Sequence, residues 1–379
     1  MYFYLLLVLI VSVLALIMKF GKPINIHYRD YKYAYINNIL FVGIVGVIFI
    51  LLSGLRDVSV GKDTENYRII FEHLGSSALL KKVPNNISGF PAYRILCKIT
   101  YLLVGNSYHF FLTLVAIVTY GLILKFIYYT SMDVYMSVVL FILTYALCNS
   151  WNLCRQFCAI ALGLNFILEL HRGHKVKSII SFVVAIFIHN SAIVLAIIYV
   201  LKRIRWNRKI FSIYSVILLI GSIFIDKVIY IFFNLFPRYA FLYGSKFAIG
   251  DMSNFGGAAQ GRKSLVSLLF LAIILFTMLL ADESVYSKRC INTWIFMSMM
   301  MIEIVLGIVF RNNSMILRAQ TYFSIITIVG VPNMIYALRL QKKTKQMISM
   351  GFLTVFLIPY IVQIKENFSS VVPYMFFWQ

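Results

Sequence analysis

Charge is scarce in this chain, and negative charge scarcer still. Asp, Glu, Lys and Arg make up 13% of its 379 residues, against about 25% in an ordinary soluble domain. No polar stretch is long enough to fold as a soluble unit, so residues 1–379 read as one transmembrane domain. The five cysteines (Cys97, Cys148, Cys154, Cys158 and Cys290) are odd in number and sit mostly in apolar runs. Cys154 and Cys158 share a helix face, but no second Cys/His pair completes a metal site, and the set reads as small buried side chains. His171 and His174 are spaced like ligands, yet a basic loop disfavours a bound cation. Also missing are an Asp-x-Asp pair for a metal–nucleotide sugar, H-E-x-x-H, G-x-S-x-G and a dinucleotide-binding glycine pattern. Neither metal nor cofactor is expected. Internal repeats and low-complexity tracts are absent as well.

Apolar sequence is abundant. Hydrophobic residues make up 61% of the chain, arranged in runs approaching the ~20 residues that cross the hydrocarbon layer as a helix. Residues 39–52, 110–129, 134–147, 264–280 and 347–362 carry few or no charges. The stretch 2–18 has no basic residue before it and no small-residue cleavage site after it, so it reads as a retained first helix.

The basic residues fix the topology. Segments 19–32, 171–177, 202–209 and 339–346 are rich in Lys and Arg and read as cytoplasmic loops. This placement explains much of the net charge of +22; any excess suits an anionic lipid, and nucleic acid is not expected. Threading from these anchors gives an all-α bundle of about ten full spans plus two partial or re-entrant segments, with both termini outside. The segment 92–104 is expected not to span. Basic loops flank both ends of 178–201, which predicts a break near His189-Asn190 and a hairpin of two half-helices. Loops 54–91 and 237–263 then lie outside. So do the polar clusters 54–72, 149–156 and 311–318, and the site is sought on that face.

The densest cluster is 54–71, GLRDVSVGKDTENYRIIF. Asp63-Thr64 reads as a helix N-cap. The spacing from Gly54 to Lys62 does not fit a phosphate loop. Most charges here read as a solvated, self-paired interfacial helix, while Arg56 and Asp57 directly follow a membrane helix, where ionisable groups are costly and retained for use. Arg155-Gln156 stands at a membrane boundary beside Asn149, Trp151 and Asn152; its guanidinium either grips phosphate or snorkels to headgroups. His189-Asn190 offers either a proton acceptor or, with Ser191, a hydrogen-bond group holding the half-helices together. Arg318 precedes Gln320 and Tyr322, with Arg311 earlier; the two arginines either clamp a diphosphate or anchor the helix. Glu303 lies within an apolar run and is expected to pair with Arg155 or Arg318.

These blocks resemble a known family. GLRDVSVGKDTENY is similar to the signature of EpsG/Wzy-type polysaccharide repeat-unit polymerases. N-x-x-R-Q follows at 152–156, I-H-N-S-A at 188–192 and R-x-x-x-Y-F at 318–323, in the family's order. The loop 237–263 matches nothing characteristic. The resemblance implies a GT-C-like membrane glycosyltransferase on the outer face of the bacterial cytoplasmic membrane. It would move a growing glycan from undecaprenyl diphosphate to an incoming lipid-linked unit, with a chain-length regulator as a further partner. On that reading Arg155 and Arg318, with Arg56, hold the diphosphate. His189 or Asp63 is the base and Asp57 orients Arg56. Gln156, Asn190 and Tyr322 complete the binding residues, and Tyr67 and Trp151 pack on sugar rings. A lipid-linked oligosaccharide flippase and an O-antigen ligase are the alternatives. A membrane acyltransferase would leave the 54–72 cluster idle.

Overall fold

The computed structural model describes residues 1–20, 25–28, 31–76, 90–224, 231, 234–235, 272–277, 280–286, 291–309 and 314–379. The loop 237–263 and Arg311, both expected on the outer face, lie outside these residues. Helix α1 (Tyr2–Phe20) is joined by a short antiparallel β-hairpin to α2 (Ile36–Gly54), and α3 (Thr64–Ser76) and α4 (Pro91–Val104) follow. Next come α5 (Tyr108–Thr130), α6 (Val134–Leu143), α7 (Ala146–Asn152), α8 (Cys154–His171) and α9 (Lys175–Ile188). A 3₁₀ turn (Asn190–Ala196) leads into α10 (Ile197–Leu201) and α11 (Arg208–Ile223). After a one-turn helix (Glu283–Tyr286) come α12 (Thr293–Val309), α13 (Ser314–Ser324), α14 (Thr327–Ala337) and α15 (Lys342–Lys365). Helix dominates because a backbone in hydrocarbon must satisfy its own N–H and C=O groups.

Helices α1, α2, α5 and α15 are each long and apolar enough to cross a membrane, and α6–α7, bent by 53°, makes a fifth candidate. The described residues therefore do not reach the ten full spans expected. As expected, 92–104 is not among the candidates: α4 has 14 residues, about 21 Å at helical rise, short of the hydrocarbon thickness. Leucine and isoleucine side chains of α1, α2 and α15 remain exposed on the outside of the bundle. Lipid tails are as apolar as these groups, so cohesion comes from close packing and interhelical polar bonds. Phe49, Tyr120 and Phe141 meet ring to ring in the core. Tyr120 and Ser150 hydroxyls lie 2.7 Å apart. The Asn333 side chain accepts from Met132 N at 2.7 Å and donates to Thr130 O at 2.9 Å, tying α14 to the end of α5.

The bundle has two chemically distinct ends. At one, Lys19 pairs with Asp133, Glu169 is held by Lys125 (2.7 Å) and His174 (2.6 Å), and Arg172 lies over Tyr129. Arg208 meets Glu283, and Asp282 meets Arg339. The described parts of the four basic loops thus share an end. Lys202 Nζ donates to Leu170 O, returning the chain to where α9 began. The segment 178–201 is therefore a hairpin, reversing at His189 as its basic flanks predict.

At the opposite end both termini meet: Tyr4 donates to Val371 O, and Phe3 stacks on Tyr374. The C-terminal tail is clasped through backbone bonds to the turn after α2. Asp57 N donates to Met375 O (2.9 Å), Gly61 N to Ser370 O (2.8 Å), Lys62 N to Ser369 O (3.1 Å) and Phe377 N to Leu55 O (3.0 Å).

Candidate functional site

A left-handed residue sets up the site. Tyr145, at φ 63°, stops α6 and redirects the chain into α7. Such a φ is unfavourable for a tyrosine, and its ring is held against Tyr360 and Phe368. The turn brings Trp151 and Asn152 under the 55–63 segment. Asn152 Oδ1 accepts from Asp63 N at 2.9 Å. Gly61, at φ +100°, passes so close that an added Cβ would stand 2.7 Å from Thr64 Oγ1 and 3.2 Å from Trp151 O.

Helix α8 starts immediately after, with Arg155 and Gln156 in its first turn. Its N-cap is Leu153, which has no side-chain acceptor, so the first N–H groups and the positive dipole end favour an anion nearby. The half-buried Arg155 guanidinium sits 4.0 Å from the ring centroid of Phe90, 5.5 Å from Tyr93 and 5.8 Å from Tyr67. Its Nε is sealed from solvent without a partner. Gln156, 2% exposed, donates to Arg318 O at 2.6 Å. This bond joins two sequence blocks that are 162 residues apart.

The hairpin tip closes the group. The His189 ring stacks 5.7 Å from Phe90, and its Nδ1 lies 2.6 Å from Ser191 Oγ. Ser191 in turn donates to the Tyr322 hydroxyl at 3.2 Å. Arg155 and Arg318 both lie within electrostatic reach of His189 and Tyr67. Among the described residues, no carboxylate pairs with either arginine. Asp63 is half-buried and within electrostatic reach of Tyr67 and Cys154, at the margin of the same group. Asn190 is exposed at the tip.

Several expected roles change. Arg56 is 0% exposed and donates to Ser53 O, Ser53 Oγ (2.9 Å) and Trp151 O (3.1 Å). It is spent on backbone carbonyls and does not face a diphosphate. Asp57 does not orient it: the Asp57 carboxyl accepts from Ser59 N at 3.0 Å. Burial works to raise the Asp57 pKa, but hydrogen bonds from Ser59 and Val58 outweigh it and hold the group below its ordinary value. Trp151, 0% exposed, packs between Tyr4 and Tyr374 and presents no face to a sugar. Tyr322, 1% exposed, is committed to Ser191 and His189. Glu303 pairs with neither arginine; it accepts from Thr327 Oγ1 at 3.4 Å. Asp63 occupies the N-cap position of α3, but among the described residues its carboxyl caps no N–H. Arg68 is answered by Glu65 and Glu72, the self-paired interfacial helix expected.

Phe90, Tyr93 and Ser191 are site residues that the motif reading did not single out as ligands. Phe90-Pro91 carried one usable signal, because proline at a first helical position marks a helix start. Among the described residues no group of His, Cys, Asp and Glu is arranged to hold a metal ion. No curated protein and no solved structure matches the chain. The EpsG family model matches residues 39–376, nearly the whole of the chain, including the turn after α2, the start of α8, the hairpin tip and α13. The chain therefore belongs to the EpsG family, the family of Wzy-type polysaccharide polymerases.

Proposed function

We propose that this protein polymerises oligosaccharide repeat units carried on undecaprenyl diphosphate, at the extracytoplasmic face of the bacterial cytoplasmic membrane. It would transfer the growing glycan from its lipid carrier to an incoming lipid-linked unit, in an architecture of the GT-C kind, with a chain-length regulator as a further partner. One observation carries the reading: Arg155 and Arg318 both lie within electrostatic reach of His189, and among the described residues no carboxylate pairs with either. Arg155 is half-buried with its Nε sealed and unpartnered, Arg318 is exposed beside the same group, and an unpaired buried donor is costly; a diphosphate would answer both cations.

The chemistry follows from the residues. The acceptor hydroxyl gives its proton to His189 Nε2, and its oxygen bonds to the donor's anomeric carbon. The bond from that carbon to the phosphate oxygen breaks, leaving its electron pair on the diphosphate. Guanidinium groups already in place stabilise that charge without reorganising, and losing one donor of this kind costs about 10²–10³ in rate. Asp63 is the second candidate for the base; Tyr67, 8% exposed and packed on Tyr93 beside Arg155, supports the guanidinium and presents no open face to a sugar.

Glycan ladders from cells carrying Arg155→Ala or Arg318→Ala, at matched expression, test this reading. The expected result is loss or severe shortening of the ladder in both. Ladders of wild-type length from both would refute the clamp. Reconstitution with lipid-linked repeat units separates polymerase from flippase, since movement of the lipid without lengthening of the glycan would support the latter.

A further inference from the structure

We propose that Ser191 is a positioning residue that holds His189 in the tautomer protonated at Nδ1, so that the Nε2 lone pair faces the acceptor. This rests on the reading of His189 as the base. The argument is one of proton counting. A serine hydroxyl has one proton and two lone pairs, and a neutral imidazole has one N–H and one acceptor nitrogen. Ser191 directs its proton at the Tyr322 hydroxyl, 3.2 Å away. The 2.6 Å contact between Ser191 Oγ and His189 Nδ1 then has no serine proton left to fill it. The imidazole supplies one: Nδ1–H donates to Oγ, with the Tyr322 hydroxyl oxygen, 3.4 Å from Nδ1, as its second and longer acceptor.

The fold builds this arrangement from local geometry. Helix α9 ends at Ile188, and His189 is extended at φ −153°. The 3₁₀ turn starting at Asn190 brings Ser191 back beneath the imidazole. The third member comes from α13, where Tyr322 lies four residues after Arg318 and so on the same helix face. One helix thus supplies an arginine of the proposed clamp and the hydroxyl that takes up the Ser191 proton. Among the described residues Nε2 has no hydrogen-bond partner, and it is not one of the sealed, unpaired side-chain atoms of the interior. When the acceptor hydroxyl releases its proton to Nε2, the Nδ1–H bond to Ser191 stays in place and the imidazolium keeps its orientation. A ring in the other tautomer would present Nε2–H to the acceptor and could not take that proton.

The test uses the full chain, labelled with ¹⁵N-histidine and reconstituted in nanodiscs. The sequence has six histidines, and the His189 resonances are assigned by their loss in His189→Gln. At neutral pH the wild type should show a protonated Nδ1 and an unprotonated Nε2. Ser191→Ala should mix or reverse the tautomers and slow polymerisation by about tenfold or more, within the range a positioned base contributes. The loss should fall on the turnover rate, with little change in half-saturating substrate. Ser191→Thr, which keeps the hydroxyl, should restore both readouts. A wild-type His189 protonated at Nε2, or Ser191→Ala with an unchanged tautomer, would overturn the proposal. A reversed tautomer with wild-type polymerisation would overturn His189 as the base and Ser191's catalytic role with it, leaving the arginine clamp standing.

Discussion

Replacing Arg56 with methionine separates a brace from a ligand. Ser53 lies in the last turn of α2 and Trp151 in the last turn of α7, where carbonyls lack helical partners. The Arg56 guanidinium answers both carbonyls from a fully buried position, with its positive charge at two negative dipole ends. Methionine fills similar space but donates nothing. Removing the cation also removes its burial cost, so the net loss is governed by the two carbonyls left behind. At about 1–3 kcal/mol for each unsatisfied buried group, Arg56→Met should lose about 2–6 kcal/mol. The assay is the melting midpoint of detergent-solubilised protein by size-exclusion recovery after heating, with glycan ladders run on the same variants. The expected pattern is a clear drop in midpoint for Arg56→Met, while Arg155→Ala melts near wild type yet makes no ladder. An Arg56→Met protein that melts like wild type and fails to polymerise would refute the reasoning and return Arg56 to the substrate.

Gly61→Ala should lower the same midpoint, because φ +100° and a Cβ 2.7 Å from Thr64 Oγ1 both oppose a side chain, a cost of about 1–3 kcal/mol. An unchanged midpoint would contradict the strained turn. For Asp57, a carboxyl whose pKa falls on folding stabilises the fold above its unfolded value, and that contribution disappears as pH drops through the folded value. Wild type should therefore exceed Asp57→Asn in stability at neutral pH, and the gap should close as pH falls below about 4. Thermal melts of the two proteins across that range check the direction; a gap that widens in acid would reverse the assignment.

What the sequence revealed and what it hid follow a physical division. Positive charge is sorted by side of the membrane, so the shared end of Lys19, Arg172, Lys202 and Arg339 could be read directly, and so could the reversal at His189. The blocks around Arg155 and Arg318 were each legible because each breaks an apolar run with a guanidinium, whereas the Gln156 bond that joins them was not foreseen. Side-chain destination was not legible. Arg56 and Arg155 look alike in sequence, each a cation at a helix boundary, yet one is taken up by backbone carbonyls and the other is left over aromatic rings. Backbone carbonyls carry no residue-type signature. Phe90 stayed hidden for a related reason: an aromatic residue in a membrane protein attracts no notice until something charged is seen resting on it.

The clasp between the turn after α2 and the tail also sets a timetable. Tyr374, which donates to Leu52 O, is added to the chain 322 residues later. At about 5–20 residues per second, that is roughly 15–60 s of synthesis during which Leu52 O and the turn after α2 lack their partners in the tail. The turn after α2 completes its hydrogen bonds only once residues 369–377 have been made. A chain that stops before residue 369 would leave the N–H groups of Asp57, Gly61 and Lys62 without these acceptors.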